Sequence, residues 1–249
     1  MSESGLVIRS HGDTVEICLD RAERRNALSL RMLAELERAV GGVPGHVRAV
    51  VLTAAGDVFC AGADFAELSG TSADLAYDDA LGAAAAAIRT STVPVLAAIE
   101  GPCLGAGVEL AMSCDARICG PRAMFRVPAV ELGLLYSPAA IRRLHAVVPR
   151  ADLTRLLVFA EPFGLDDALR AGLATHIVGD DPREAALAMA AAVVTLPDDA
   201  VRSTRMLLRD LDDQIFDESS WRDVRIQVMD SGARRTAVDA ARRKYVVGP

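Results

Sequence analysis

The sequence predicts an α/β fold, a strand–helix core continued by helices, and three observations carry that prediction. Short runs rich in aliphatic and β-branched residues alternate with helical spacings through the first half of the chain. From Ser137 onward the pattern is almost entirely helical. No Gly-, Ser- or Pro-rich linker separates the two parts. The 249 residues are therefore expected to form one domain, with a core over about 1–195 and a helical extension over about 196–249.

Residues 6–9 and 15–19 read as strands joined by the His11-Gly12-Asp13 turn. Ser29 is placed to cap a helix whose apolar positions Leu30, Leu33, Leu36, Ala39 and Val40 recur close to helical spacing, and Gly41-Gly42 ends it. Residues 49–53 form a buried strand, followed by a loop from Gly56 to Asp64. A helix over about 74–89 leads to a strand at 95–99; Gly101 to Gly107 then opens a helix reaching Ser113. Short strands follow at 116–119 and 124–127. Helices are expected over 137–148, 150–159, 165–171, 183–195, 199–210 and 219–245, punctuated by Pro149, Pro162, Gly172, Pro182 and Pro197.

Composition narrows the function classes. The chain is 51% hydrophobic and 24% charged, too apolar for disorder. Mean hydropathy is +0.25, yet no uncharged apolar run is long enough to span a bilayer. Met1-Ser2-Glu3-Ser4 lacks the basic-then-apolar pattern of a secretory signal, so a cytoplasmic location is expected. The net charge of −7 argues against a nucleic-acid partner. Residues 221–249 nevertheless hold seven basic side chains against three acidic ones. Such a tail suits a small anionic ligand, and equally a terminal helix dipole.

Lys244, near the chain's end, is the only lysine, which leaves no good Schiff-base candidate. Five cysteines without a CxxC, and four widely separated histidines, build neither a disulfide framework nor a metal cage. There is no GxSxG, no HExxH and no P-loop pattern. Carboxylates and backbone dipoles remain.

Two small-residue turns follow two of the expected buried strands. One is Cys60-Ala61-Gly62-Ala63-Asp64-Phe65; the other is Gly105-Ala106-Gly107, immediately before a helix. Parallel strands would bring both turns to one sheet edge, where their free N–H groups could form an oxyanion hole for a carbonyl that becomes an enolate. Each turn alone also suits an ordinary strand connection. Glu109 stands three residues after Ala106 on the same helix face, placed either to move a proton beside that carbonyl or to cap its own helix. A dinucleotide fingerprint is a poor alternative, because Leu110 occupies the third-glycine position.

The segments Arg25-Asn26-Ala27-Leu28-Ser29, Phe59 to Phe65, Gly101 to Ala111, Ser113 to Arg117 and Phe125 to Gly133 together resemble the enoyl-CoA hydratase/isomerase (crotonase) family, in order and spacing, over essentially the whole chain. The resemblance implies a crotonase-like spiral of ββα units with C-terminal helices that trimerise, as a homotrimer or a dimer of trimers. It implies an acyl-CoA thioester as the partner, coenzyme A belonging to the substrate, with no separate cofactor and no metal. Ala63 and Ala106 fall at the two oxyanion donors. Ala61, Asp64, Phe65 and Ala66 match the stretch lining adenine and pantetheine. Arg24 and Ala27 match an early CoA-contacting loop, and the basic tail with Lys244 matches the part that reaches a 3′-phosphate.

Glu109 matches the first of the two glutamates with which family hydratases activate water. The second does not carry over, because Ala129 stands in its place. Glu131, two residues on, would share a face with that position only in an extended segment. Tyr136 resembles a tyrosine of family decarboxylases acting on malonyl-type CoA esters, and could donate a proton or simply line the acyl pocket. The expected function is an acyl-CoA-processing lyase or isomerase in which hydration is inefficient. The alternatives are a non-catalytic acyl-CoA binding protein and a decarboxylase using Tyr136.

Overall fold

The computed structural model describes residues 5–245. A hairpin of β1 (Leu6–His11) and β2 (Thr14–Leu19) is followed by α1 (Leu30–Gly41), β3 (Ala49–Ala54), α2 (Leu75–Thr90) and β4 (Val95–Ile99). Next come β5 (Pro102–Leu104), α3 (Ala106–Ser113), β6 (Ala116–Cys119) and β7 (Met124–Arg126). The rest comprises α4 (Pro138–Val147), α5 (Arg150–Leu157), α6 (Leu165–Arg170), β8 (His176–Ile177), α7 (Pro182–Val194), α8 (Asp198–Asp212), α9 (Glu218–Met229) and α10 (Gly232–Tyr245). The main sheet runs β1-β2-β3-β4-β6-β8, antiparallel only at the hairpin; β5 and β7 pair in parallel as a second, small sheet.

The expected elements are present, with three differences. β5 lies inside the glycine-containing segment and exists through its pairing with β7, a tertiary contact that leaves no local periodicity. β8 is two residues long and pairs with Ile118 and Cys119. The single helix expected over 219–245 is two helices, since Ser231 turns the chain and accepts from the Arg234 N–H at 3.1 Å.

The strands read as continuous apolar runs because both faces of the sheet are covered. Val50, Leu52, Val95, Ala97 and Ile99 face the large core shared with α1, α2 and α3. Ala49, Val51, Leu96 and Ala98 alternate to the other face, where Ala186 and Ala190 of α7 pack. Glu16 of β2 is fully buried and ties the sheet to α7. It accepts from Arg183 at 2.6 and 2.8 Å, from the Thr53 hydroxyl at 2.9 Å, and meets His11 Nε2 at 2.9 Å.

Arg205 docks α8 onto this core. Buried, it donates to Asp115 at 2.8 Å and to the carbonyls of Ile88, in the last turn of α2, and Ser91, just past its end. By contrast α9 and α10 bury no residue within the chain. Among the described residues no helix is long and apolar enough to cross a membrane.

Candidate active site

The two small-residue turns meet. Cys60 and Cys103 form a parallel bridge in which the Cys60 N–H donates to the Pro102 carbonyl and the Leu104 N–H to the Cys60 carbonyl. At Gly62, where φ is +96°, an added Cβ would lie 3.2 Å from the Leu104 carbonyl oxygen and 3.7 Å from the Ala106 nitrogen. Glycine therefore permits both the backbone conformation and the close approach of the second turn.

Strand pairing exposes the first donor. Leu28 bridges Ala63 through the groups on either side of it: the Leu28 N–H donates to the Gly62 carbonyl at 2.8 Å and the Asp64 N–H to the Leu28 carbonyl at 3.0 Å. In a parallel bridge of this kind the N–H of the central residue points away from its neighbour. The second donor, the Ala106 N–H, begins α3, where no intrahelical acceptor exists. Neither N–H has an acceptor among the described residues.

Glu109 lies in the first turn of α3 and is 4% exposed. Its Oε1 accepts from Arg143 Nη2 at 2.5 Å, and its Oε2 is buried without a hydrogen-bond partner among the described residues. Burial pushes the carboxyl above its usual range; Arg143 opposes that shift without cancelling it, and Asp78 adds to it. Tyr136 is buried beside this group and donates its hydroxyl to the Gly105 carbonyl at 3.0 Å. Burial, followed by the nearby Glu109, drives the phenol well above its ordinary value.

Position 129 is buried alanine, in a 3₁₀ turn over Ala129–Leu132. Three residues per turn put Glu131 on a different face. It pairs with Arg126 at 2.5 Å and its side chain is half exposed, so the structure does not bring Glu131 to the place that Ala129 leaves without a carboxylate.

On the other side of the turn, Asp64 caps a short 3₁₀ helix over Phe65–Glu67, accepting from the Ala66 N–H at 3.2 Å. It also pairs with Arg21 at 3.0 Å. Burial raises its carboxyl, but the Ala66 N–H, Arg21 and the nearby Arg24 together hold it below the usual value. The Ala61 N–H donates to the Arg25 carbonyl at 3.0 Å, and the Ala27 carbonyl accepts from Arg21 at 2.8 Å. Arg24, Ala27, Ala61, Asp64, Phe65 and Ala66 thus gather around one loop, with Phe65 and Ala66 exposed on its rim. Lys244 does not join them within one chain. It is exposed on α10 with its ammonium 5.1 Å from the Tyr245 ring.

Two residues escaped sequence reasoning, Arg21 and Arg143, and a third, Asn26, was quoted only as part of a matching segment with no role assigned to it. Arg21 joins the loop to Asp64. Asn26, buried at φ +54°, accepts from the Arg21 N–H and donates to the Ala55 and Val58 carbonyls. Arg143 reaches Glu109 from 34 positions away. Only Asn26 carried a local signal, since asparagine tolerates the left-handed region.

A family model described as enoyl-CoA hydratase/isomerase matches residues 10–228. A Mycobacterium tuberculosis protein named as a probable enoyl-CoA hydratase is 38% identical over 195 residues, covering 77% of each chain. The mouse mitochondrial Delta(3,5)-Delta(2,4)-dienoyl-CoA isomerase is 31% identical over 235 residues, 87% of this chain and 72% of the mouse protein. Among solved structures, an enoyl-CoA hydratase/isomerase family protein from Hyphomonas neptunium superposes with a TM-score of 0.90. It is 30% identical, with 96% of this chain and 95% of that one covered. The α/β core followed by C-terminal helices is accordingly the crotonase fold.

Proposed function

The chain belongs to the enoyl-CoA hydratase/isomerase family, and on that premise we propose that it processes acyl-CoA thioesters through an enolate. The thioester carbonyl sits between the Ala63 and Ala106 N–H groups, whose backbone origin makes alanine as serviceable as glycine. Glu109 removes a proton from the α-carbon, the charge spreads through the dienolate, and the same proton returns to the γ-carbon as the double bond moves into conjugation with the carbonyl. The supporting observation is the unpaired, buried Oε2 of Glu109, with Oε1 fixed by Arg143. One carboxylate suffices for such a proton shift, whereas hydration needs water activated and a second proton delivered. With alanine at 129, double-bond isomerisation is the favoured reaction. Tyr136 acts as a pocket wall and backbone brace, because its hydroxyl proton is engaged by Gly105.

The test is product analysis with a panel of acyl-CoA esters that includes 3-enoyl, crotonyl and methylmalonyl thioesters. Isomerised 3-enoyl-CoA, abolished by Glu109→Gln, is the expected result. Decarboxylation of methylmalonyl-CoA dependent on Tyr136 would replace this reading. The Arg143–Glu109 ion pair favours one second reading, a protein that binds thioesters without turnover, since the pair restrains the carboxylate beside the hole. Binding with no product from any ester would establish it.

A further inference from the structure

A cavity of about 400 Å³ lies among the 3₁₀ turn over Ala129–Leu132, the segment that follows it, α4 and α5. Gly133, at φ +67°, ends the turn, and the Leu134 N–H donates back to the Ala129 carbonyl at 2.9 Å. That reversal brings Leu134, Leu135 and Tyr136 into the lining with Ala129. Ile141 of α4 extends the apolar surface, as do Leu153 and Leu157, one turn apart on one face of α5. None of the lining residues is a carboxylate, and the two basic ones, His145 and Arg150, are exposed. The Thr154 hydroxyl is spent within its own helix, donating to the Arg150 carbonyl at 3.0 Å.

Two of the lining residues belong to the proposed reacting centre. Ala129 stands where the resemblance places a second glutamate. The Tyr136 hydroxyl reaches the Gly105 carbonyl at 3.0 Å, in the peptide that carries the Ala106 N–H. The cavity thus borders the place proposed for the thioester carbonyl, and at that border the side chain of residue 129 is a methyl group. Away from it the apolar surface lies open, with Leu135 74% and Val158 59% exposed.

We infer that this cavity receives the tail of the acyl group, and that the tail is an apolar chain of medium length. The substrate class is then the CoA thioester of a fatty acid of about ten carbons. This rests on the reading of Ala63, Ala106 and Glu109 as the reacting centre. A methylene group takes up about as much space as a water molecule, about 30 Å³, so the cavity holds about ten of them with some room unfilled. A four-carbon acyl group would leave Leu153 and Leu157 uncovered, and a carboxylate at 129 would set a charge against the chain. A second copy of the protein is the other cover for the exposed residues. The sharing of Ala129 and Tyr136 with the reacting centre favours the substrate.

Calorimetry on the full chain with saturated butanoyl-, octanoyl-, decanoyl- and hexadecanoyl-CoA tests this. Affinity is expected to rise about threefold for each added methylene, the scale of burying one, and to level off beyond about ten carbons. Leu157→Trp, which fills the cavity, is expected to lower the ratio of decanoyl to butanoyl affinity by about 10-fold or more. Val158→Asp, at an exposed position that carries no packing strain, is expected to lower it too. A rise that survives both substitutions overturns the inference, as does one that continues undiminished to hexadecanoyl-CoA. If Val158→Asp lowers the mass seen by light scattering and leaves the chain-length series unchanged, a second copy covers this face and the inference is overturned. If none of the thioesters binds, the reading of the reacting centre fails and this one with it; if all bind equally, this one alone fails.

Discussion

The Tyr136 hydroxyl holds one end of the peptide group whose other end is the Ala106 N–H. Tyr136 donates to the Gly105 carbonyl at 3.0 Å, and the Ala106 N–H is the other pole of that same planar unit. The Val108 N–H, donating to the same oxygen at 2.9 Å, holds it from the helix side. The Glu109 N–H adds a longer bond at 3.4 Å, and an amide whose oxygen is engaged in this way is oriented and polarised, its N–H a better donor for it.

Tyr136→Phe should therefore lower kcat by about 10-fold while KM changes little, a fraction of the 10²–10³ expected from losing an oxyanion donor outright. Steady-state kinetics checks the split. A loss of 10²–10⁴ together with loss of one limb of the pH profile would mark Tyr136 as an acid instead.

The pH–rate profile should follow Glu109. As the base it must be ionised, so activity rises as pH climbs through a carboxyl that burial holds above its usual range. Arg143→Gln removes the opposing cation and should move this limb to higher pH. Profiles of kcat/KM for the two proteins decide it; an unmoved limb would mean that another group governs the rise.

Ala129→Glu should raise crotonyl-CoA hydration by about 10-fold or more, within the range of one acid–base group. Loss of absorbance of the conjugated thioester is the readout. Glu109→Gln in the same background should abolish the gain, with thioester affinity nearly unchanged because the hole is made of backbone.

Glu16 predicts the acid stability. The Arg183 hydrogen bonds, opposed by burial and reinforced by His11 and Thr53, hold its carboxyl at about 2 against an ordinary 4.5. The unfolded chain therefore takes up the proton first as pH falls. The contribution is complete above about 4.5 and disappears as pH drops towards 2. Glu16→Gln should cost about 3 kcal/mol at neutral pH and flatten the acid limb of stability, measured by urea unfolding at several pH values.

The C-terminal helices predict assembly. Leu208, Leu211, Ile215, Phe216, Ile226 and Met229 are exposed large apolar side chains clustered within α8, α9 and their connection. Such a surface is expected to be covered by copies of the chain, in a trimer or its multiple. Light scattering near 26 kDa at micromolar concentration would contradict this.

What the sequence disclosed was what local rules encode. Ser29 caps α1, accepting from the Met32 N–H at 3.2 Å, and the β4 and β6 boundaries follow directly from their apolar runs. The turns at Ala63 and Ala106 were legible because glycine and alanine there leave room for another backbone. Arg143 was not, since its partner is 34 positions away and an arginine on a helix surface has no distinguishing pattern. β5 and β8 escaped for the same reason, each being a strand only by virtue of its neighbour.

The bridge between Leu28 and Ala63 makes loop length, rather than side-chain identity, the inherited constraint at this position. Alternate amides along an extended segment face opposite sides. Deleting or inserting one residue between Cys60 and Asp64 would turn the ligand-facing amide towards Leu28 and present a carbonyl in its place. Replacing Ala63 by another small residue would leave that amide where it is. The segment can therefore drift in sequence while remaining fixed in register, and a single-residue deletion there would cost the hole more than a substitution of Ala63 itself.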